Sequence, residues 1–154
     1  RAGGLTHVAG CTGSTSEAAV QSFYGLPDHA MLDMGDFAGG LLKYLASHPV
    51  PRVTIGGGFG KLTKLAQGAR DLHSRRSQVD FAGLGALARA RGLADVSHAG
   101  TALEALETAG PGLAEAVAER ALANVQDILG PAPVIADIAV IDRAGKMIAQ
   151  AGPG

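Results

Sequence analysis

The sequence contains no tryptophan and one cysteine, and aromatic residues make up 4% of its 154 residues. The single cysteine, Cys11, excludes an internal disulfide and a cysteine-based zinc site. A formal net charge of −1 excludes the global basic field that draws proteins to nucleic acid non-specifically. No apolar run approaches the roughly 18 residues of a membrane span, and no signal-like start is present. We therefore expect a cytoplasmic protein without nucleic-acid or membrane partners.

Small residues take the place of the missing aromatics. Hydrophobic residues make up 47% of the chain and 23 residues are glycine, so alanine, leucine, valine and isoleucine must fill the core. Such a composition suits close packing of helices on a sheet and loops lined by backbone. The length is typical of one domain. The chain starts at Arg1 without an initiator methionine, from which we expect a part of a longer protein.

Three apolar segments each lead into a glycine-rich or capping turn and then into a helical pattern. The segments are "LTHVAG" before "CTGSTSEAAVQSFYG", "HAMLDMG" before "DFAGGLLKYLASH", and "PRVTIGGG" before "FGKLTKLAQGAR". In the second of these helices, Phe37, Leu41 and Leu45 repeat every four residues and predict its apolar face. Strand, turn and helix repeated at this spacing predict a parallel sheet with crossover helices.

The second half of the chain is helical and then returns to strands. "VDFAGLGALARARG" and "SHAGTALEALETAG" predict two modest helices, and "PGLAEAVAERALANVQDILG" predicts a stronger one, with Pro111 near its start and Gly130 at its end. "PVIADIAVIDRAGKMIAQAG" predicts a hairpin about "DRAGK". The expected fold is one α/β domain over residues 1–154, three-layer-like, with a mainly parallel sheet, crossover helices, a helical middle segment and a C-terminal β-hairpin.

The first turn, "GCTGSTSE", is a candidate ligand site. In open α/β sheets ligands lie at the carboxyl ends of the strands, and a helix start there attracts an anion or a carboxylate. The candidate binding residues are Thr12, Gly13, Ser14, Ser16 and Glu17. An equally open alternative is that Ser14 or Thr15 merely caps the helix and Glu17 completes a capping box. The motif is not a P-loop, because it lacks G-x-x-x-x-G-K-[ST].

The second turn, "LDMGDFAGG", places Asp33 and Asp36 on either side of Gly35. An acid at a strand end can accept hydrogen bonds from ribose hydroxyls or from a methionyl amine. It can also simply cap the next helix. We expect capping by Asp36 and ligand binding by Asp33, and all three residues are candidates for the site.

The third turn, "GGGFGKLTK", does not form a dinucleotide fingerprint, because the last interval of its glycines is wrong. Gly56, Gly57 and Gly58 instead let the backbone approach a large flat ligand. Lys61 and Lys64 would supply charges for its carboxylates. The alternative is that the two lysines lie on an exposed helix flank.

The segment "DLHSRRSQVD" lacks periodicity and is predicted to be a loop. His73 and Ser74 form a candidate acid/base and hydrogen-bonding pair, and Arg75 and Arg76 can clamp carboxylates. Asp80 either orients a group in this loop or caps the next helix. The other histidines have no ligand spacing, so we expect no metal site. No G-x-S-x-G elbow is present, and the scarcity of aromatics in the basic stretch disfavours nucleic-acid binding.

Four segments together carry a resemblance to a known family. "TGSTSEAAV", "MGDFAGGLLKYL", "TIGGGFGKLTKLAQG" and "LHSRRSQVD", in this order and spacing, resemble the cobalt-precorrin-5B C(1)-methyltransferases of anaerobic cobalamin biosynthesis, the CbiD family. The resemblance covers most of the chain, including an ending like "IAVIDRAGKMIA". Its most specific part runs from Gly56 to Asp80.

The resemblance implies methyl transfer from S-adenosylmethionine to C1 of a cobalt-bound tetrapyrrole, which brings its own cobalt. It implies that Lys61, Lys64, Arg75 and Arg76 meet the carboxylates of this substrate, and it makes His73 the candidate base, with Asp80 as a second catalytic candidate. The positions that match the family pattern are Thr12 to Glu17, Gly35, Asp36, Gly56 to Gly58, Lys61, Lys64, His73, Ser74 and Asp80.

One departure from the family is large, because its members are longer and begin with an N-terminal region that is missing here. The resemblance therefore implies that this region of the same enzyme is a partner of the chain. Two alternatives stay open beside the methyltransferase. One is a non-catalytic tetrapyrrole-binding module or an incomplete fragment that needs its N-terminal partner. The other is a generic nucleotide-binding α/β domain, which the failed phosphate and dinucleotide patterns disfavour.

Overall fold

A computed structural model describes residues 5–153 of the chain. Within them, five strands form one sheet: β1 (His7–Cys11), β2 (Met31–Leu32), β3 (Arg52–Gly57), β4 (Ile135–Ile141) and β5 (Met147–Ala151). The helices of the same region are α1 (Ser14–Tyr24), α2 (Ala38–Ser47), α3 (Phe59–Ala66), α4 (Phe81–Ala90), α5 (Ala102–Ala109) and α6 (Pro111–Leu129).

The strand order is β2-β1-β3-β4-β5. Strands β2, β1, β3 and β4 pair in parallel, and β5 adds an antiparallel edge to β4. Helix α1 packs on one face of the sheet, and α2, α3 and α6 pack on the other. The expected α/β class, with a mainly parallel sheet and a terminal hairpin, is confirmed. Because the chain passes from β1 to β2 on one side and to β3 on the other, the sheet has a topological switch point between β1 and β3.

Alternating side chains in the strands produce the two packed faces. Val53 and Ile55 of β3 are fully buried in the larger core, beneath α2, α3 and α6. Their neighbours Thr54 and Gly56 point to the face that carries α1. Alanines on α6, such as Ala114 and Ala118, are also fully buried. The small residues therefore let a long helix lie close to the sheet where aromatic side chains would hold it away.

Three elements differ from the sequence prediction. Strand β2 has two residues, because a 3-10 turn at Asp28–Ala30 takes up the preceding part of the segment. Helix α3 ends at Ala66, where the amide of Asn124 donates to the carbonyls of Leu65 and Ala66 at 3.0 and 2.7 Å. Phe37 precedes α2 and is exposed, so its predicted place on the apolar face is wrong.

Two glycines of the central strands allow the helices to approach the sheet. A Cβ on Gly10 of β1 would overlap the side chain of Leu41 in α2. A Cβ on Gly56 of β3 would lie 2.6 Å from Cγ2 of Val20 in α1. Both glycines therefore have a packing function, one on each face of the sheet.

A buried polar network lies at the amino ends of the strands, on the face of α1. Asp137 of β4 is fully buried and forms an ion pair with Arg52 of β3, which also donates through Nε at 2.9 Å. The hydroxyl of Thr54 donates to the same carboxylate and lies 2.7 Å from Nε2 of His7. The guanidinium stacks over the ring of Tyr24. Burial lowers the pKa of His7, and the charge of Arg52 lowers it further.

The packing at Gly56 is tested by comparing Gly56→Ala with Gly60→Ala. The first change forces a Cβ against Val20, and we expect it to lower the free energy of unfolding by about 1–3 kcal/mol. At Gly60, in α3, a Cβ would make an ordinary contact of 3.6 Å with Ala102. Alanine is favoured over glycine in a helix by up to about 1 kcal/mol, so Gly60→Ala should be at least as stable as the wild-type chain. Urea unfolding followed by circular dichroism measures both. Equal stabilities of the two variants would contradict the packing function.

Candidate functional site

The turns after β1 and β3 meet at the switch point of the sheet. The Thr12 N–H donates to the carbonyl of Gly56 at 3.1 Å, and a Cβ on Gly57 would lie 2.8 Å from the Thr12 hydroxyl. A pocket of about 390 Å³ opens here, and we call it the central pocket. It is lined by Thr12, Gly13, Ser14, Thr15, Ser16, Gly58, Ile141, Asp142 and Arg143.

Two helices begin on glycine at the central pocket. Gly13 is the N-cap of α1 and Gly58 is the N-cap of α3, and neither offers a side chain to the first-turn N–H groups. The predicted caps Ser14 and Thr15 and the predicted capping box with Glu17 are wrong. Because α1 begins at Ser14, it is the Ser16 hydroxyl that reaches Gly13, accepting from its N–H at 3.2 Å and donating to its carbonyl at 3.0 Å. The positive ends of two helix dipoles therefore lie at one pocket.

The β4–β5 turn completes the central pocket, although its residues were not predicted to belong to the site. The carboxylate of Asp142 accepts from the N–H groups of Ala144 and Lys146 at 3.0 and 2.8 Å, which fixes the turn. Arg143 is exposed beside it. The sequence could have indicated this, because a strand parallel to β3 ends at the same edge of the sheet, and the turn after β4 therefore lies beside the turn after β3.

A second pocket lies between the turn before α2 and the loop after α3. The Leu72 N–H donates to the carbonyl of Asp36 at 2.7 Å, and the Gly39 N–H donates to the carbonyl of Arg70 at 2.9 Å. These bonds join the two segments around a cavity of about 420 Å³, which we call the loop pocket. It is lined by Met34, Asp36, Phe37, Asp71, His73, Arg75 and Arg76.

Asp36 has a different role from the predicted one. The N-cap of α2 is Phe37, with no side-chain cap, so the expected capping by Asp36 is wrong. Its carboxylate lies 2.7 Å from Nζ of Lys61 in the first turn of α3. Gly35 allows the turn because its φ of +57° is in the left-handed region. Asp33 lies just beyond β2 and is exposed.

Lys64 is buried rather than placed on an exposed helix flank, and that alternative is wrong for this residue. The residue is 8% exposed, and its Nζ donates to the carbonyl of Leu72 at 3.1 Å. Burial lowers the pKa of Lys64, and the charge of Lys61 lowers it further. Because the pKa is lower in the folded chain, this lysine contributes stability that grows as the pH rises from the folded toward the unfolded pKa.

The two arginines of the loop pocket are the cations available to a ligand. Arg75 and Arg76 are exposed, and neither has an acidic partner within 4.0 Å among residues 5–153. Lys61 and Lys64 are engaged with protein groups. The predicted partner Ser74 is exposed in the same turn. The structure therefore separates the predicted basic residues into two that hold the pocket together and two that face solvent.

His73 and Asp80, the two predicted catalytic residues, are not brought together. The Arg75 N–H donates to Nδ1 of His73 at 3.1 Å, so a neutral His73 carries its proton on Nε2 and presents a donor. The Asp80 side chain accepts from the Gly83 N–H and caps α4. It lines a separate cavity of about 510 Å³ between α3, α4 and α6. The capping alternative for Asp80 therefore has structural support.

Other groups near the edge offer little chemistry. Burial raises the pKa of Cys11 to about 12, with a further contribution from the charge of Glu17, so the thiol is not an activated nucleophile. The part of the chain that the structure describes contains no cluster of three or more residues suited to bind a metal ion.

No helix among residues 5–153 is long and apolar enough to cross a membrane.

The open, mainly parallel sheet, with glycine turns and pockets at its carboxyl edge, defines an α/β domain of the class whose ligands lie at that edge. A family model described as "CbiD, C-terminal domain" matches residues 71–152. The chain belongs to the CbiD family. No solved structure matches the chain.

Several curated relatives of the chain carry the name cobalt-precorrin-5B C(1)-methyltransferase. The protein of Paramagnetospirillum magneticum is 53% identical over 98% of this chain and 44% of its own length. Those of Brucella anthropi and Methylorubrum extorquens are 52% and 50% identical over 97% of this chain, and over 43% and 44% of their own lengths. The chain thus spans less than half of these relatives, whose name implies a methyl donor and a corrin substrate.

The function of Lys64 is tested by comparing Lys64→Met with Lys61→Met. Removing the buried ammonium frees the loop that follows Leu72, and we expect trypsin to cut after Arg75 or Arg76 about fivefold faster, as for a lost bond of ~1 kcal/mol. Lys61→Met removes a partly exposed ion pair and should change this rate less. Mass spectrometry of the first fragments measures the cleavage. A rate that is unchanged in Lys64→Met would show that the lysine does not hold the loop.

Proposed function

We propose that this chain is the C-terminal part of an enzyme that transfers a methyl group from S-adenosylmethionine to C1 of a cobalt-precorrin in anaerobic cobalamin biosynthesis, with the cytoplasm as its setting. The observation that carries the proposal is the convergence of the family's motifs. Glycine turns, two helix starts and the basic loop all lie along one edge of the sheet. Membership of the CbiD family supports the same activity.

The central pocket is our candidate for the methyl donor. The donor carries a carboxylate on its methionyl part, and the first turns of α1 and α3 offer N–H groups with favourable dipoles. Arg143 adds a cation at the rim. Glycines at both helix starts leave room for the donor to approach the backbone.

The reaction requires alignment more than a strong catalyst. The carbon C1 attacks the methyl group with an electron pair of the conjugated macrocycle, and the carbon–sulfur bond breaks with its electrons staying on sulfur, which leaves a neutral thioether. The positive charge that comes with the methyl group is removed by loss of a proton from the macrocycle. Holding donor and acceptor in line supplies most of the acceleration for such a step. The predicted general base, His73, presents its Nε2–H while it accepts from Arg75. In this tautomer it stabilises negative charge on the substrate, and it acts as a base only after its Nδ1 is released.

A second candidate function is a tetrapyrrole-binding module without a donor site of its own. The observation that favours this function is that the chain spans about 44% of the length of a curated relative. A donor pocket shared with the remaining part would then be incomplete in this chain. Binding of a tetrapyrrole polycarboxylate without binding of the donor product would support this function.

The donor assignment is tested by calorimetric titration of the chain with S-adenosylhomocysteine. A leucine at Gly58 would enter the central pocket, since a Cβ there lies 4.0 Å from the nearest atom, the carbonyl oxygen of Ile141. We expect Gly58→Leu to weaken binding at least about tenfold. The matched control is Gly100→Leu, in an exposed loop outside the pocket.

Unchanged affinity in Gly58→Leu, with the wild-type chain binding, would exclude the central pocket as the donor site. Absence of binding by the wild-type chain would contradict a donor site built from this chain alone. The control should retain wild-type affinity, because its substitution touches neither helix start. Circular dichroism of each variant separates loss of binding from loss of folding.

A further inference from the structure

Two consecutive glycines in the first turn of α2 need an explanation. Glycine lowers helix stability by up to about 1 kcal/mol relative to alanine, yet α2 begins with Ala38, Gly39 and Gly40. A Cβ on Gly39 would lie 2.5 Å from Cβ of Arg70, so this glycine admits the loop that forms the loop pocket. A Cβ on Gly40 would lie 2.7 Å from Cδ2 of Phe37, so this one admits an aromatic ring.

Phe37 lies with its ring against the bare backbone of Gly40. The residue is 58% exposed, although the chain has only four phenylalanines and no tryptophan to fill its core. Phe23, exposed to 57%, packs its ring edge-to-face on Tyr24 at 4.8 Å. Phe37 instead lines the loop pocket together with Arg75 and Arg76. A fixed and exposed aromatic ring beside two cations is suited to an apolar, flat ligand that carries negative charge.

The charges of the loop pocket also favour a polyanion. Asp36 is paired with Lys61, and the charges of Asp36 and Asp71 both act on the buried Lys64. Two lysines thus offset two aspartates. The surplus charge of the pocket is that of Arg75 and Arg76.

We propose that the loop pocket is the tetrapyrrole subsite, with the ring of Phe37 in contact with the face of the macrocycle and Arg75 and Arg76 on its peripheral carboxylates. This inference rests on the proposed function and names the substrate part of that site. His73 donates its Nε2–H to the same rim. At about 420 Å³ the pocket is at the small end for drug-sized ligands, so it holds one edge of the macrocycle and leaves the rest open.

The subsite is tested with uroporphyrin, a flat tetrapyrrole with eight carboxylates. Its own visible absorption reports binding to the chain. We expect Phe37→Ala to weaken binding about tenfold, through lost ring contact. Phe23→Ala is the matched control, with an equally exposed phenylalanine on α1, and should leave the affinity unchanged. Phe37→Leu should retain part of the affinity, because it keeps apolar surface at the same place.

The contribution of charge is tested with the double variant Arg75→Gln, Arg76→Gln. We expect at least tenfold weaker uroporphyrin binding and a smaller dependence on salt. Tricarballylate, an aliphatic tricarboxylate, is the second probe. It should respond to the arginine variant and not to Phe37→Ala, since it has no ring face.

The outcomes separate the subsite from the methyl transfer. Equal uroporphyrin affinities of Phe37→Ala and Phe23→Ala would overturn the contact with the ring, and no uroporphyrin binding by the wild-type chain would overturn the subsite. Phe37→Ala should bind S-adenosylhomocysteine as the wild-type chain does. If donor-product binding persisted while uroporphyrin binding depended neither on Phe37 nor on the two arginines, the subsite would fall and the proposed function would stand. Loss of both ligands in the wild-type chain would contradict both.

Discussion

The close approach of two helices to the central strands is the constraint on which the rest of the structure depends. Gly10 admits α2 on one face of the sheet, and Gly56 admits α1 on the other. A larger residue at either position would overlap a side chain of the facing helix, Leu41 at Gly10 and Val20 at Gly56, which would have to shift. Helix α1 follows β1 directly, and α2 leads into β3. The positions of these two helices on the sheet therefore also determine where the turns at the carboxyl edge lie. A chain with few aromatic side chains is suited to this packing, since small residues allow short distances between layers.

The candidate site follows from that packing. Helices α1 and α3 both begin on a glycine at the switch point, and the parallel β4 brings its turn to the same place. The loop pocket beside it is held by the ammonium of Lys64 beneath the loop and by the ion pair of Lys61 with Asp36. The four basic residues that were predicted to contact a ligand therefore differ in their structural roles. The lysines support the pocket, and the two arginines have no acidic partner within 4.0 Å in the described part of the chain.

The sequence predicted the repeated pattern well because local signals determine it. The apolar runs before each glycine turn predicted the parallel strands, and "DRAGK" predicted the hairpin. The N-cap of α1 could not be predicted, because a shift of one residue in the start of the helix decides which serine caps it. With Ser14 as the N-cap its own hydroxyl would cap the helix, whereas with Gly13 as the N-cap the hydroxyl of Ser16 reaches back to it. The burial of Lys64 depends on a loop that folds back over α3. Phe37 followed the helical period of Leu41 and Leu45, yet the helix begins one residue later. The neighbouring glycines, Gly39 and Gly40, were the sequence signal for an aromatic ring packed outside the helix.

The central claim is that ligands bind at the carboxyl edge of the sheet, where the chain's glycine turns meet. Backbone amide chemical shifts of the ¹⁵N-labelled chain, recorded with saturating S-adenosylhomocysteine, test this most directly. We expect the largest changes at Gly13 and Gly58 and at their neighbours, with small changes at Arg52 and Asp137 on the amino edge. Changes centred instead on the cavity between α3, α4 and α6, or on the amino edge, would contradict it.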